Sequence, residues 1–332
     1  MIMKNCLNYK TPDYYNRFVC AAQNCRDTCC AGWEICIDDE TLSVYEKTDG
    51  GFGEKLRNNI TTDADGDKIF RLQNGRCPFL NKEKLCDIHI ALGEECICEV
   101  CREHPRFTEL YDGFTEKSLS VSCPTANEII FNTPMELQTY PTPEYDGADD
   151  LLAGLIKARK SLLELIIQTE TTDSFMEGLL EQTKLIANEF FEYNDAYEAF
   201  YSFSGMLITK LEEFLLKYSE ILTEEWRNLL QDASEKVLTH KDYFRFSEEH
   251  KEDIKKFAAY FLYRYFLKAI NDKDIEINGA FIAASVYMCT DISAKTDIPF
   301  PECVRIFSKE TEHDLCNIEL IKDFIADEVS IL

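Results

Sequence analysis

The sequence predicts a mostly α protein in two parts: a small, irregular, cysteine-rich metal-binding domain over residues 1–135, then an all-α helical domain over 148–332. Three observations carry this reading. Twelve of the 15 cysteines fall within residues 1–123. A stretch rich in Pro and Gly, NTPMELQTYPTPEYDGA at 132–148, reads as a connector. Beyond it, apolar residues recur at helical spacing.

With 332 residues the chain can bury a large core and is long enough for two domains. An apolar fraction of 45% and an aromatic fraction of 12% are those of a globular protein rather than a disordered one. No apolar run approaches the roughly 20 residues that span a bilayer. The opening MIMKNCLNYKTPDYY lacks the continuous apolar stretch and small-residue cleavage site of a signal peptide. A cytoplasmic location with no membrane partner is the expectation. The net charge of −26 argues against nucleic acid as a partner, because that binding rests on Lys and Arg neutralising phosphates. The acidity is uneven. Residues 1–145 hold 15 Lys and Arg against 24 Asp and Glu (−9), and the remainder 20 against 37 (−17). Such a surface either attracts a lysine-bearing partner or simply keeps the chain soluble.

In chain order, DDETLSVYEKTD (38–49) predicts a first helix entered at an Asp cap. GGFGEK (50–55) lacks the last Gly and the preceding strand of a dinucleotide fingerprint. DADGD (63–67) resembles a calcium loop, but its Gly is misplaced and no Glu follows at the required distance, so a hairpin turn is expected. KIFRLQ (68–73) and KSLSVSC (117–123) read as short strands. LCDIHIALGEE (85–95) reads as a short helix stopped at Gly93, whose positive end would lower the pKa of the Cys86 thiol. Past the connector, Leu151, Leu152, Leu155, Ile156, Leu162, Leu163 and Ile166 open a helical pattern. Comparable patterns run through 174–192, 195–218, 221–239, 248–271 and 278–290. IKKFAAYFLYRYFLKAI (254–270) is apolar on most of its circumference and predicts a central buried helix. His240, His250 and His313 lie in polar helical contexts and are expected at the surface.

The cysteines carry the chemistry. Cys29 and Cys30 are adjacent, with Cys25 four residues earlier, and nothing in the chain is secretory. Crowding of this kind favours metal ligation over a disulfide framework. Zinc would be served by Cys86-x2-His89 with Cys101-x2-His104, or by Cys98-x2-Cys101 as a variation. An iron–sulfur cluster takes thiolates, usually four. Redox thiols are the third possibility. The excess of cysteine over histidine leans toward iron–sulfur, as does the doublet, since a cluster with several irons offers more open directions than one zinc. The C-x3-C-x2-C motif of radical S-adenosylmethionine chemistry is absent, because Gly32 stands where its third cysteine would be.

The stretch FVCAAQNCRDTCCAGWEICID (18–38) resembles the F-x-C-x4-C-x3-C-C-x-G-W signature of bacterial flagellin lysine N-methylases. GRCPFLNKEKLCDIHIALGEE (75–95), CREHPRF (101–107) and LSVSCP (119–124) resemble later blocks of the same family, in the same order. The resemblance covers residues 18–124. It implies an enzyme that moves a methyl group from S-adenosylmethionine to lysine ε-amines of flagellin and carries an iron–sulfur cluster of the 4Fe-4S type. Wider relatives are cysteine-cluster proteins that chelate zinc or iron, so zinc stays open as the metal. The metal ligands it implies are Cys20, Cys25, Cys29, Cys30, Cys77, Cys86, Cys101 and Cys123; Cys6, Cys36, Cys96 and Cys98 are extras of this sequence. For such chemistry Trp33 offers a wall for the sulfonium or the lysine, or else plugs the core. Arg106 offers a clamp for the cofactor carboxylate or offsets cluster charge, or else forms a helix-end ion pair. Asp38 is a helix cap or a base for the lysine proton. A non-catalytic zinc- or iron-binding module is the rival reading.

Overall fold

The computed structural model describes residues 9–33, 35–169, 171–190, 205–221 and 223–331. The protein is mostly α, 63% helix against 9% strand. It forms two compact units. One comprises Phe18–Phe107 with Cys123–Thr125; the other comprises residues up to Arg17, Thr108–Ser122 and the chain from Ala126 onward. The division therefore differs from the expected boundary in the 132–148 connector. The reason is strand pairing: β1 (Tyr9–Lys10) lies parallel to β5 (Phe114–Leu119), which pairs in turn with β4 (Arg106–Tyr111), so the start of the chain joins the helical unit.

In the cysteine-rich unit, α1 (Asp39–Lys47) starts where the sequence places it. The Asp38 carboxylate accepts from Thr41 N at 2.9 Å, and Asp39 and Glu40 favour the positive end of the helix. α2 (Gly50–Asn58) was not anticipated. Its Gly53 lies where an added Cβ would meet the Thr48 carbonyl oxygen at 1.8 Å, and the Arg57 guanidinium donates to the carbonyls of Tyr45, Glu46 and Thr48. Tertiary contact thus holds a helix that three glycines would otherwise weaken. β2 (Ile60–Thr62) and β3 (Lys68–Phe70) form the expected hairpin around residues 63–67. There the Asp63 carboxylate accepts from Asp65 N and Asp67 N, and Gly66 takes a φ of 97°. α3 (Asp87–Leu92) ends at Gly93 with φ 99°, and α4 (Glu99–Glu103) follows. Ile35, Ile37, Tyr45, Leu56, Phe70, Phe79 and Ile88 form the core, with Cys77 and Cys98 buried among them.

In the helical unit, α5 (Pro124–Phe131), α6 (Asp150–Gln168), α7 (Thr172–Phe190), α8 (Gly205–Tyr218) and α9 (Glu224–Ser234) are followed by α10 (His240–Glu249), α11 (Lys251–Tyr265) and α12 (Ala269–Asp272). α13 (Ile275–Thr296), α14 (Phe300–Thr311) and α15 (Leu315–Ile331) complete it. The start of the expected 195–218 helix lies outside the described residues. α11 is the central buried helix, with every residue from Ile254 to Tyr265 inside. Phe257, Phe261 and Phe266 each contribute about 1.5–3 kcal/mol by burial. Buried charges are paired: the Arg159 fork grips Glu116 at 2.5 and 2.8 Å, and Lys295 lies 2.9 Å from Glu212 and 2.6 Å from Asp291. His313 is half-buried rather than fully solvated. Its Nε2 lies 2.8 Å from Ser122 Oγ, and burial lowers its pKa to about 4, so the ring that shares this hydrogen bond is neutral. Among the described residues no helix is long and apolar enough to cross a membrane.

Candidate metal centre

Backbone pairing gathers the cysteines. Gly32 N donates to Gly75 O at 2.9 Å and Cys77 N to Cys30 O at 2.8 Å, so the doublet runs antiparallel to residues 75–77. Gly32 (φ 87°) and Gly75 (φ 71°) sit where a side chain would be strained, which lets both segments turn at that point. The Trp33 indole donates to Cys29 O at 2.8 Å and fixes the doublet from the other side. After Cys77 the chain reverses through Asn81, whose side-chain oxygen accepts from Glu83 N and Leu85 N, and returns to Cys86. Cys86 holds the N-cap position of α3 without a side-chain cap bond. Burial raises its pKa, outweighing the lowering by the amides of His89 and Ile88, so the helix start does not lower it as the sequence suggests. Cys98 holds the same position on α4, and Cys101 N donates to Cys98 O at 3.0 Å, which puts the two thiols on one turn.

The sulfurs form two groups that meet at the doublet. In the inner group, the charges that the Cys101 thiol feels most are those of Cys98, Cys30 and Cys77, while Cys77 feels Cys30, Cys86 and Cys98. In the outer group, Cys29 feels Cys30, Cys20 and Cys123. A hydrogen bond from the Cys29 thiol lowers the Cys30 pKa to about 7 and raises that of Cys29. A bond from the Cys101 thiol likewise lowers Cys98 and raises Cys101. Burial pushes Cys77 up to about 12 and raises Cys86.

Of the eight cysteines that the resemblance implies as ligands, seven take part in these two groups. Cys25 is fixed through its backbone, its carbonyl accepting from Lys84 Nζ at 3.1 Å. Cys98, an extra by the motif, is the most buried thiol of this unit at 1% exposed; its C-x2-C spacing with Cys101 is the signal that marks it. His89 is exposed, and the His104 ring lies 6.0 Å from that of Trp33. The guanidinium of Arg106 lies over the Phe18 ring at 5.2 Å. Asp38 is a cap: besides Thr41 it accepts from Glu99 N at 2.8 Å, and although burial opposes them these bonds hold its pKa below the usual carboxylate value. An open pocket of about 380 Å³ lies beside it, lined by Asp38, Asp39, Asp67, Glu99, Cys36 and Lys68 among others.

Among the described residues no three Cys, His, Asp or Glu side chains stand together as a ready-made ion site. Two pairs of thiols are hydrogen-bonded instead, Cys29 with Cys30 and Cys98 with Cys101. Their chemistry nonetheless fits a thiolate-bound metal: soft donors converge at the edge of an apolar core, and each raises its neighbours' cost of ionising until a cation is present.

Two curated proteins named lysine-N-methylase, from Salmonella typhimurium and Salmonella choleraesuis, are each 26% identical to this chain, over 259 and 252 residues. Each match covers 70% of the chain and 60% of the relative, so the chain spans about 60% of the length of these relatives. The flagellar biosynthetic protein FliU of Salmonella muenchen is 29% identical over 129 residues, 37% of this chain and 76% of that protein. No protein-family model matches the chain, and no solved structure matches it. The likeness to lysine-N-methylases therefore extends well beyond the cysteine blocks.

Proposed function

We propose that the chain is a protein-lysine N-methyltransferase that takes its methyl group from S-adenosylmethionine, acts on flagellin, and carries an iron–sulfur centre in its cysteine-rich unit. The observation that supports this most is the likeness, over 70% of the chain, to proteins named lysine-N-methylase. The name FliU of a further relative supports a flagellar substrate.

Methyl transfer requires a neutral lysine amine. Its lone pair forms the N–C bond as the C–S bond breaks, and the electron pair returns to sulfur. The ammonium proton must leave first. The acidic pocket beside α1 suits a cationic side chain electrostatically, but Asp38 is committed to three hydrogen bonds and serves as a cap rather than as the proton acceptor. Trp33 is half-buried and its indole N–H is anchored, so its ring is held in one orientation, as a wall for a sulfonium requires. Cys77, Cys86 and Cys101, with the doublet, would hold the metal. A bound cluster would supply iron cations there that offset the charge of the thiolates.

The test is anaerobic incubation of the purified protein with flagellin and S-adenosylmethionine, followed by mass spectrometry. The expected result is mass gain in methyl steps on lysines, with iron and acid-labile sulfide in the enzyme. Unmodified flagellin in the presence of bound metal and cofactor would leave the non-catalytic metal module as the better reading. Zinc without sulfide would replace the cluster by a zinc centre.

A further inference from the structure

The cysteine blocks leave Cys98 unassigned, but its surroundings are those of a metal donor. It is 1% exposed, holds the N-cap position of α4, and shares a turn and a thiol–thiol contact with Cys101. Its other polar neighbour is unusual. Tyr45 is fully buried, and its hydroxyl lies 2.8 Å from Cys96 O and 3.6 Å from the Cys98 sulfur. The phenol has one proton, which it gives to Cys96 O; a thiolate at Cys98 would be a second acceptor for that proton, and binding to a metal keeps the sulfur in that unprotonated state. Cys77, Cys86, Cys98 and Cys101 are four of the inner cysteines, the number a cluster takes, with Cys30 the thiol whose charge Cys77 and Cys86 feel most.

We propose that Cys98 is a sulfur donor to the metal of the inner group, and that the Tyr45 hydroxyl is a positioning hydrogen-bond partner of that sulfur. This rests on the metal reading given above. Cys30 stays beside Cys77, Cys86 and Cys101 as a further donor of the inner group, and Cys29 faces the outer group of Cys20 and Cys123.

The experiment loads the full chain with iron and sulfide under anaerobic conditions and measures iron per chain, the visible absorption, and the rate of iron loss to a chelator. Cys98→Val fills the volume without a donor and should lower iron per chain at least twofold; Cys36→Ser should leave it unchanged. Tyr45→Phe should retain the iron but weaken its hold by roughly 10-fold or more, as loss of an outer-sphere partner does. Circular dichroism reports folding. Should Cys98→Val fail to fold, Cys98→Ser decides: a shifted visible band supports the proposal, and wild-type iron with an unshifted band overturns it. Full iron in Cys98→Val, or unchanged iron release in Tyr45→Phe, overturns the donor or the partner role respectively while wild-type iron keeps the metal reading standing. A wild-type chain that takes up neither iron nor zinc overturns both.

Discussion

Neighbouring thiols differ here because one donates its proton to the other. Cys30 accepts from Cys29 and sits near a pKa of about 7, whereas Cys77, buried, sits near 12. In metal-free protein the fraction of Cys30 thiolate rises with pH through about 7, so alkylation by iodoacetamide should rise steeply between pH 6 and 8 at Cys30 and stay low at Cys77. Peptide mapping by mass spectrometry reads both; equal, flat labelling would show that the pair is not bonded in solution. Trp33 separates two roles in the same way. If its ring covers the sulfonium, Trp33→Ala keeps its iron but binds S-adenosylmethionine roughly 2- to 30-fold more weakly, as a cation–π contact of about 0.5–2 kcal/mol implies. Loss of iron as well would make the ring a support of the Cys29 backbone, which its hydrogen bond already is.

At the scale of elements, features set by a few consecutive residues were legible: the Asp38 cap, the stop at Gly93, the turn at 63–67, and α11 from its apolar circumference. α2 was not, because Gly50, Gly51 and Gly53 argue against a helix and the contacts that hold it come from Arg57 and Thr48. Nor was the membership of β1 and β5 in the helical unit, since strand pairing between residues 9 and 115 leaves no local mark. The cysteines were legible as a crowded set but not as two groups, because grouping depends on the pairing of 30–32 with 75–77. The helical core adds a pH device that no spacing reveals. Burial first, and then the Asp291 charge, raise the Glu212 carboxyl on α8 to about 9, despite the Lys295 ammonium on α13 at 2.9 Å. Folded Glu212 keeps its proton where the unfolded chain, near 4.3, has lost it. Stability should therefore fall as pH rises between about 4.3 and 9. Glu212→Gln should flatten the dependence of melting temperature on pH over this window; parallel curves for the two proteins would sink the assignment.

For the whole molecule, the charge of −26 is the property most open to a direct test. Part of the formal acidity is internal: Glu116, Asp291 and Glu312 are buried with Arg or Lys partners and Glu212 keeps its proton, so none of them presents a field to a substrate. The remaining surface carboxylates would steer a lysine-bearing protein by long-range attraction, which is screened over about 8 Å at physiological ionic strength. On the proposed function, the methyl-transfer step itself would not depend on that long-range field. Raising salt from low to moderate should then increase the apparent KM for flagellin while kcat stays nearly constant. A short lysine peptide, too small to sense the extended surface, should show a weaker trend in the same titration. If KM is insensitive to salt for both substrates, the acidity serves solubility alone, and recognition of the lysine must rest on short-range contacts such as the pocket bordered by Asp39, Asp67 and Glu99.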